Sequence, residues 1–217
     1  LLFEMGDTPS KWGTQWNPAP LPSFPGVQIP DVPPVAPVVR PPAGTQVLAS
    51  TPLQIFDGKS DWSRTNLNAL PTGEDEPWTM NLFIRPDKAP EERTLIGGFG
   101  DGRDEPSTQR YIGRIHGGIH FWGASIDIDS GVPFDVGRWQ MLTATFDGKT
   151  VTLYKNGEPI KAAPVVFKDA APEVHISPTG TWPEHHQFEG RAQGFAIWNS
   201  AFSPSAVREL MKSMPQE

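Results

Sequence analysis

The stretch WQMLTATFDGKTVTLYKNG, residues 139–157, decides how the rest of the chain is read. Met141 to Phe146 and Val151 to Lys155 are two runs rich in β-branched, aromatic and aliphatic residues, and they flank Asp147-Gly148. Asp-Gly tolerates the positive φ that a tight turn demands, so the two runs pair as an antiparallel hairpin. Asn156-Gly157 repeats the signal and begins a further strand pairing.

Outward from this hairpin, similar short runs appear at Trp78 to Arg85, Arg93 to Phe99, Gln109 to His116, Gly118 to Trp122, Val174 to Ser177 and Arg191 to Trp198. Eight or more strands with turn signals between them fit an all-β fold of two packed antiparallel sheets. One helix is expected near the C-terminus. Ser203 can cap its first turn, Pro204 suits the first helical position, and Val207, Leu210 and Met211 share a face that would cover a sheet edge. No fixed period recurs along the chain, which argues against propellers and solenoids.

Residues 1–44 read differently from residues 45–217. Ten prolines fall between Pro18 and Pro42, spaced by small apolar residues, as in an extended polyproline arm. The arm is either a spacer or strap for its own domain, or a segment whose Pro30-x-x-Pro33 and Pro34-x-x-Pro37 lie in a partner's groove. Ahead of it, Phe3, Met5, Trp12 and Trp16 are too few to make a core and need a surface, which is either the chain's own sandwich or another protein. Phe3, Trp12, Trp16, Pro33 and Pro34 are therefore the candidates for docking on a protein partner, which could belong to a larger assembly.

The composition excludes several functions. The chain of 217 residues carries a formal charge of −7 and no Lys/Arg cluster, which argues against a nucleic-acid partner. It has no cysteine, so disulfides, thiolate catalysis and thiolate metal sites are out. No apolar run approaches the roughly 20 residues that span a bilayer. The start at Leu1-Leu2-Phe3 suggests a trimmed N-terminus, as after removal of an export signal, although a cloning boundary would read the same.

Successive blocks now carry a resemblance. Ile55-Phe56-Asp57-Gly58, Trp78 to Pro86, Leu95-Ile96-Gly97, Gly137 to Gly148, Val151 to Gly157, Phe188-Glu189-Gly190-Arg191 and Ala196-Ile197-Trp198-Asn199 stand in order over roughly Thr45 to Met211. In that order they resemble a laminin G-like domain of the concanavalin A-like jelly rolls. The resemblance implies a two-sheet jelly-roll sandwich, placement outside the cytoplasm (secreted, periplasmic or at the cell surface), and a role in binding glycans or proteins. Members of this family often carry a calcium-binding Asp shortly after the Phe-x-Gly block, where this chain has Arg191-Ala192-Gln193. Calcium needs several hard oxygen ligands. A structural calcium here would rest on Asp57, or on Asp101 and Asp104 beside the glycine-rich stretch Gly97 to Gly102, which reads as a flexible loop.

Chemistry is sparse. Related jelly rolls include glucanases, but the nearest carboxylate pair is Asp127-Ile128-Asp129, whose alternation puts both acids on one side. A solvated strand face explains it better than catalysis, and no catalytic residue is assigned. His116 and His120 would lie about 13 Å apart along one strand, too far for one metal, unless Gly117-Gly118 turns the chain between them. For glycan binding the candidates are Trp182, Trp122 and Trp62, with His185, Asn66 and Arg114 as polar neighbours, because sugar faces pack on exposed aromatic rings. Trp182 comes first, in a loop with little apolar company, whereas Trp78, Trp139 and Trp198 fall in strand blocks and are expected in the core. The sequence thus points to a non-catalytic binding module, with an accessory subunit docked through its arm as the alternative and a glycosidase as the weakest reading.

Overall fold

The computed structural model describes residues 44–216. The arm and its docking candidates Phe3, Trp12, Trp16, Pro33 and Pro34 lie outside the described residues. The strands are β1 (Gln46–Leu48), β2 (Gln54–Asp57), β3 (Trp62–Arg64), β4 (Trp78–Pro86), β5 (Thr94–Phe99), β6 (Arg110–Ile115), β7 (Gly118–Trp122), β8 (Asp127–Asp129), β9 (Gln140–Phe146), β10 (Thr150–Lys155), β11 (Glu158–Pro164), β12 (Val174–Ile176) and β13 (Glu189–Trp198), followed by helix α1 (Pro204–Leu210).

They form two antiparallel sheets, the jelly-roll sandwich the sequence implies. The first runs β1-β13-β4-β9-β10-β11, with β2 also paired to β13, and the second runs β3-β12-β5-β6-β7-β8. The Asp147-Gly148 hairpin forms as read: Val151 pairs with Phe146, and the Asp147 carboxylate accepts from the N–H groups of Lys149 and Thr150.

Alternation builds the core between the sheets. Trp78, Met80, Leu82 and Ile84 of β4 point inward, as do Leu142, Ala144 and Phe146 of β9, against Ile112 of β6, Phe121 of β7 and Val174 and Ile176 of β12. The Trp78 indole is wholly buried, with the rings of Phe99, Phe121, Phe146 and Phe167 centred 5.5–6.3 Å away. Burying about 200 Å² of aromatic surface at roughly 25 cal/mol per Å² is worth about 5 kcal/mol against an extended chain.

The outer face of the first sheet is also apolar in its middle. Phe83, Met141 and Tyr154 point outward and are covered by Phe202, Ala206 and Val207. Helix α1 therefore lies over a sheet face as well as the expected edge, which it reaches through the Arg208–Glu158 ion pair on β11 at 2.9 Å. Under it, Thr143 donates a buried hydrogen bond of 2.7 Å to Asn81. Trp139 and Trp198 belong to this outer cluster and stay half-buried, so they are not core tryptophans as Trp78 is.

Gly97 and Gly98 were expected in a flexible loop and instead lie inside β5. A Cβ on Gly98 would stand 2.1 Å from the Arg110 carbonyl, so the residue has to be glycine for β5 and β6 to approach.

Candidate binding face on the second sheet

The registers of β5 to β8 place two rows of residues across the outer face of the second sheet. One row is Leu95, Gly113, His120 and Asp129; the next is His175, Gly98, Tyr111, Trp122 and Asp127. Their neighbours Ile112, Ile119, Phe121 and Ile128 turn to the core, so these rows face the other way, where Leu95, Tyr111, His120 and Trp122 are nonetheless buried. Leu95, Tyr111, Ile115, Trp122 and Ala124 form a separate apolar cluster there.

Trp182 packs on that cluster from the β12–β13 loop. The loop closes on itself at its root: the Phe188 N–H donates to Ser177 Oγ at 3.0 Å, and the Gln187 amide reaches the Ser177 and Ser60 carbonyls. Outside the root, Arg93 pairs with Glu184 at 3.6 Å and His186 with Glu91 at 3.1 Å. The Trp182 ring lies 4.7 Å from that of Trp122, edge to face, and 5.6 Å from the His185 ring. Its Nε1 donates to Asp104 at 3.3 Å. Asp104 is held in reach because the β5–β6 loop is braced by Gln109, whose amide nitrogen donates to Asp101 at 2.8 Å, and by the Tyr111 hydroxyl on the Gly100 carbonyl at 2.9 Å.

The polar groups at this face are poorly satisfied. Among the described residues, Thr181 Oγ1, both ring nitrogens of His185 and Nδ1 of His120 are buried without a well-formed partner. Burial pushes the His185 imidazole below its ordinary pKa, with the neighbouring His186 adding to the effect and the Pro178 carbonyl opposing it. His120 is pushed down by burial too, against the opposing pull of its 2.9 Å contact with Asp127. Burial of this kind disfavours the charged form, so both rings are neutral donor–acceptors near pH 7.

The structure thus brings together Trp182, His185 and Trp122, but not the other glycan candidates. Trp122 is only 3% exposed, so it forms the base on which Trp182 stands. Trp62 packs against the inner core with Arg64 over its ring, four strands from β7, or about 19 Å at the usual strand spacing. Asn66 is exposed in a loop at a positive φ of 61°, and Arg114 donates to the Pro90 carbonyl.

The metal candidates are also apart. Asp57 spends its carboxylate on the Ser60 hydroxyl and the N–H groups of Ser60 and Lys59, which holds its pKa low. Asp101 and Asp104 each accept from protein donors, and among the described residues no group of three or more His, Asp or Glu gathers as a cation would need. Among the described residues, Asp57 and the Asp101–Asp104 pair do not join a shared cluster of acidic side chains. The chain does turn between the two histidines, but at His116-Gly117, with Gly118 already in β7, and this brings the rings of His116 and His120 to 5.9 Å. Asp127 and Asp129 share the outer side of β8 as read, with Asp127 committed to His120. Sequence reasoning missed Tyr111 and His120 in this face, because only the strand registers bring them beneath Trp182.

A family model described as the concanavalin A-like lectin/glucanases superfamily, of laminin G type, matches residues 57–208, well over half of the chain. No curated protein is significantly similar in sequence. Among solved structures, domain 4 of AbnA, a GH43 extracellular arabinanase from Geobacillus stearothermophilus in complex with arabinotriose, superposes with a TM-score of 0.58 at 20% identity, over 72% of this chain and 75% of that one. The CBM40 of the Ruminococcus gnavus IT-sialidase, bound to α2,3-sialyllactose, gives 0.58 at 15%, over 77% and 99%. The botulinum neurotoxin serotype C1 binding domain gives 0.53 at 15%, over 78% of this chain and 47% of that one. At these identities the likeness is one of fold. No helix among the described residues is long and apolar enough to cross a membrane.

Proposed function

We propose that this chain, which belongs to the concanavalin A-like lectin/glucanases superfamily, is a non-catalytic module of an exported protein that binds a saccharide on the outer face of its second sheet. The observation that carries the reading is the aromatic shelf of Trp182 on Trp122, with the His185 ring beside it. An indole offers its face to the C–H side of a sugar, and the acids and imidazoles around it supply polar groups for hydroxyls. Support comes from two of the similar structures, which are complexes with arabinotriose and with sialyllactose. The Asp127 and Asp129 carboxylates are exposed on a short edge strand, and Asp127 is tied to His120, which suits a solvated face better than an acid–nucleophile pair.

The test is a titration of the full chain with a panel of neutral and acidic oligosaccharides by calorimetry, beside Trp182→Ala. The expected outcome is saturable binding of at least one sugar that weakens tenfold or more in the variant, with its melting point within a few degrees of the parent. A panel that binds nothing, or binds Trp182→Ala equally well, overturns the site. Sugar hydrolysis that Asp127→Asn abolishes overturns the non-catalytic assignment.

A further inference from the structure

A second row of side chains crosses the opposite side of the molecule, on the outer face of the first sheet. The registers set Ile55 of β2 opposite Arg191 of β13, and Arg191 opposite Arg85 of β4. Because Ile84 is opposite Gln140, Trp139 just before β9 comes next in line. Arg85, Arg191, Trp139 and Gly137 line a groove of about 340 Å³. Gly137 sits at a positive φ of 72°, and its N–H donates to the Pro86 carbonyl at 2.7 Å, so this wall carries no side chain.

Two cations directly opposite each other on neighbouring strands repel, and a sheet normally avoids the pair. Among the described residues their shared acid is Asp87, whose Oδ1 lies 3.4 Å from Arg85 Nη1 and 3.3 Å from Arg191 Nη1. These are long, single contacts. The nearest other acid on β13, Glu189, is paired with Lys88 at 3.0 Å. Two fixed positive charges therefore face one negative charge, with most of their N–H donors unassigned, in a chain whose net charge is −7.

We propose that this groove binds an oxyanion, carboxylate or sulfate, carried on a saccharide. A guanidinium presents paired donors in a plane that matches either anion, and two of them converging on one groove hold it in a fixed orientation. The half-buried Trp139 indole gives the attached sugar ring a flat apolar wall, which an acidic peptide would not need. The overall negative charge opposes indiscriminate attraction of polyanions, so binding depends on this local geometry. The groove lies on the other sheet from Trp182, and its function stands or falls separately from that of the Trp182 shelf.

The test is calorimetric titration of the full chain with tetragalacturonate, a short dextran sulfate, neutral maltotetraose and hexaglutamate. Saturable binding of tetragalacturonate or dextran sulfate is expected, with the tighter of the two identifying the anion, and none by maltotetraose. Arg85→Gln and Arg191→Gln should each weaken binding at least tenfold, and Arg191→Lys less. Asp87→Asn, which removes the competing acid, should tighten it several-fold and so keeps the test independent of any loss of folding. The proposal is overturned if neither acidic saccharide saturates, if the glutamine variants bind as the parent does, if Asp87→Asn weakens binding, or if hexaglutamate binds as tightly as the saccharides.

Discussion

Arg110 is a charged residue that the fold has enclosed completely. Its guanidinium carbon lies 4.2 Å from the centre of the Phe167 ring and 5.7 Å from that of Phe99, and Nη2 donates to the Lys168 carbonyl at 2.8 Å and, at 3.4 Å, to those of Thr72 and Gly73. Burial pulls its pKa down to about 10, which still leaves it charged at neutral pH. Ring faces and carbonyls take the place of a carboxylate, and one side chain ties two loops to the end of the core. Arg110→Ala removes the packing and orphans the carbonyls together, so a loss of about 3–5 kcal/mol is expected in urea unfolding. A loss below about 1 kcal/mol would show that the two loops hold without it. The sequence placed Arg110 correctly in a strand but gave no sign of its surroundings, because Phe167 and Lys168 lie more than fifty positions away in an irregular segment.

Among the elements, α1 was the easiest to foresee and the surface beneath it the hardest. Ser203 and Pro204 announce the start locally, and the Ser203 hydroxyl does accept from the Ala206 N–H at 3.3 Å. Ser203→Ala should cost about 1 kcal/mol, visible as a lower denaturation midpoint with an unchanged slope. Val207→Asp is expected to be far worse, since it sets a carboxylate against Phe83, Met141 and Tyr154; exposure of that patch should appear as dye binding. Alternation told which residues share a side of β4 or β9, and could not tell that the outward side would also be covered. The same limit explains the outer face of the second sheet. Trp182 and His185 were found because they sit in a loop poor in other apolar residues, whereas Tyr111 and His120 join them through pairings that no local pattern encodes. The glycines of β5 misled for a related reason: close approach of two strands requires glycine just as a flexible loop favours it.

Over the whole molecule, protonation of buried imidazoles sets the acid limit. His120, His175 and His185 are each held below their ordinary pKa, in every case chiefly by burial. A histidine with a depressed folded-state pKa binds fewer protons folded than unfolded, so its contribution is complete above the unfolded value of about 6.5 and is lost as pH falls through the folded value. Melting temperature should therefore decline from pH 7.5 to pH 5, before the lowered carboxyl groups of Asp57, Glu91 and Glu158 titrate. Replacing His185 with Gln should flatten part of that decline, and an unchanged slope would assign it to the other two rings.

The sheet borders carry a consequence for behaviour at high concentration. The strands that end the sheets are brief: β1, β3 and β8 have three residues each and β2 has four. The longer border, β11, begins with Glu158-Pro159, carries Lys161 and finishes at Pro164. Prolines offer no N–H to an incoming strand, and a lysine resists being stacked upon its own copy. Among the described residues, each rim of the sandwich is thus too short or too interrupted to template another molecule, so crowded copies of this domain can lie side by side without knitting into fibres.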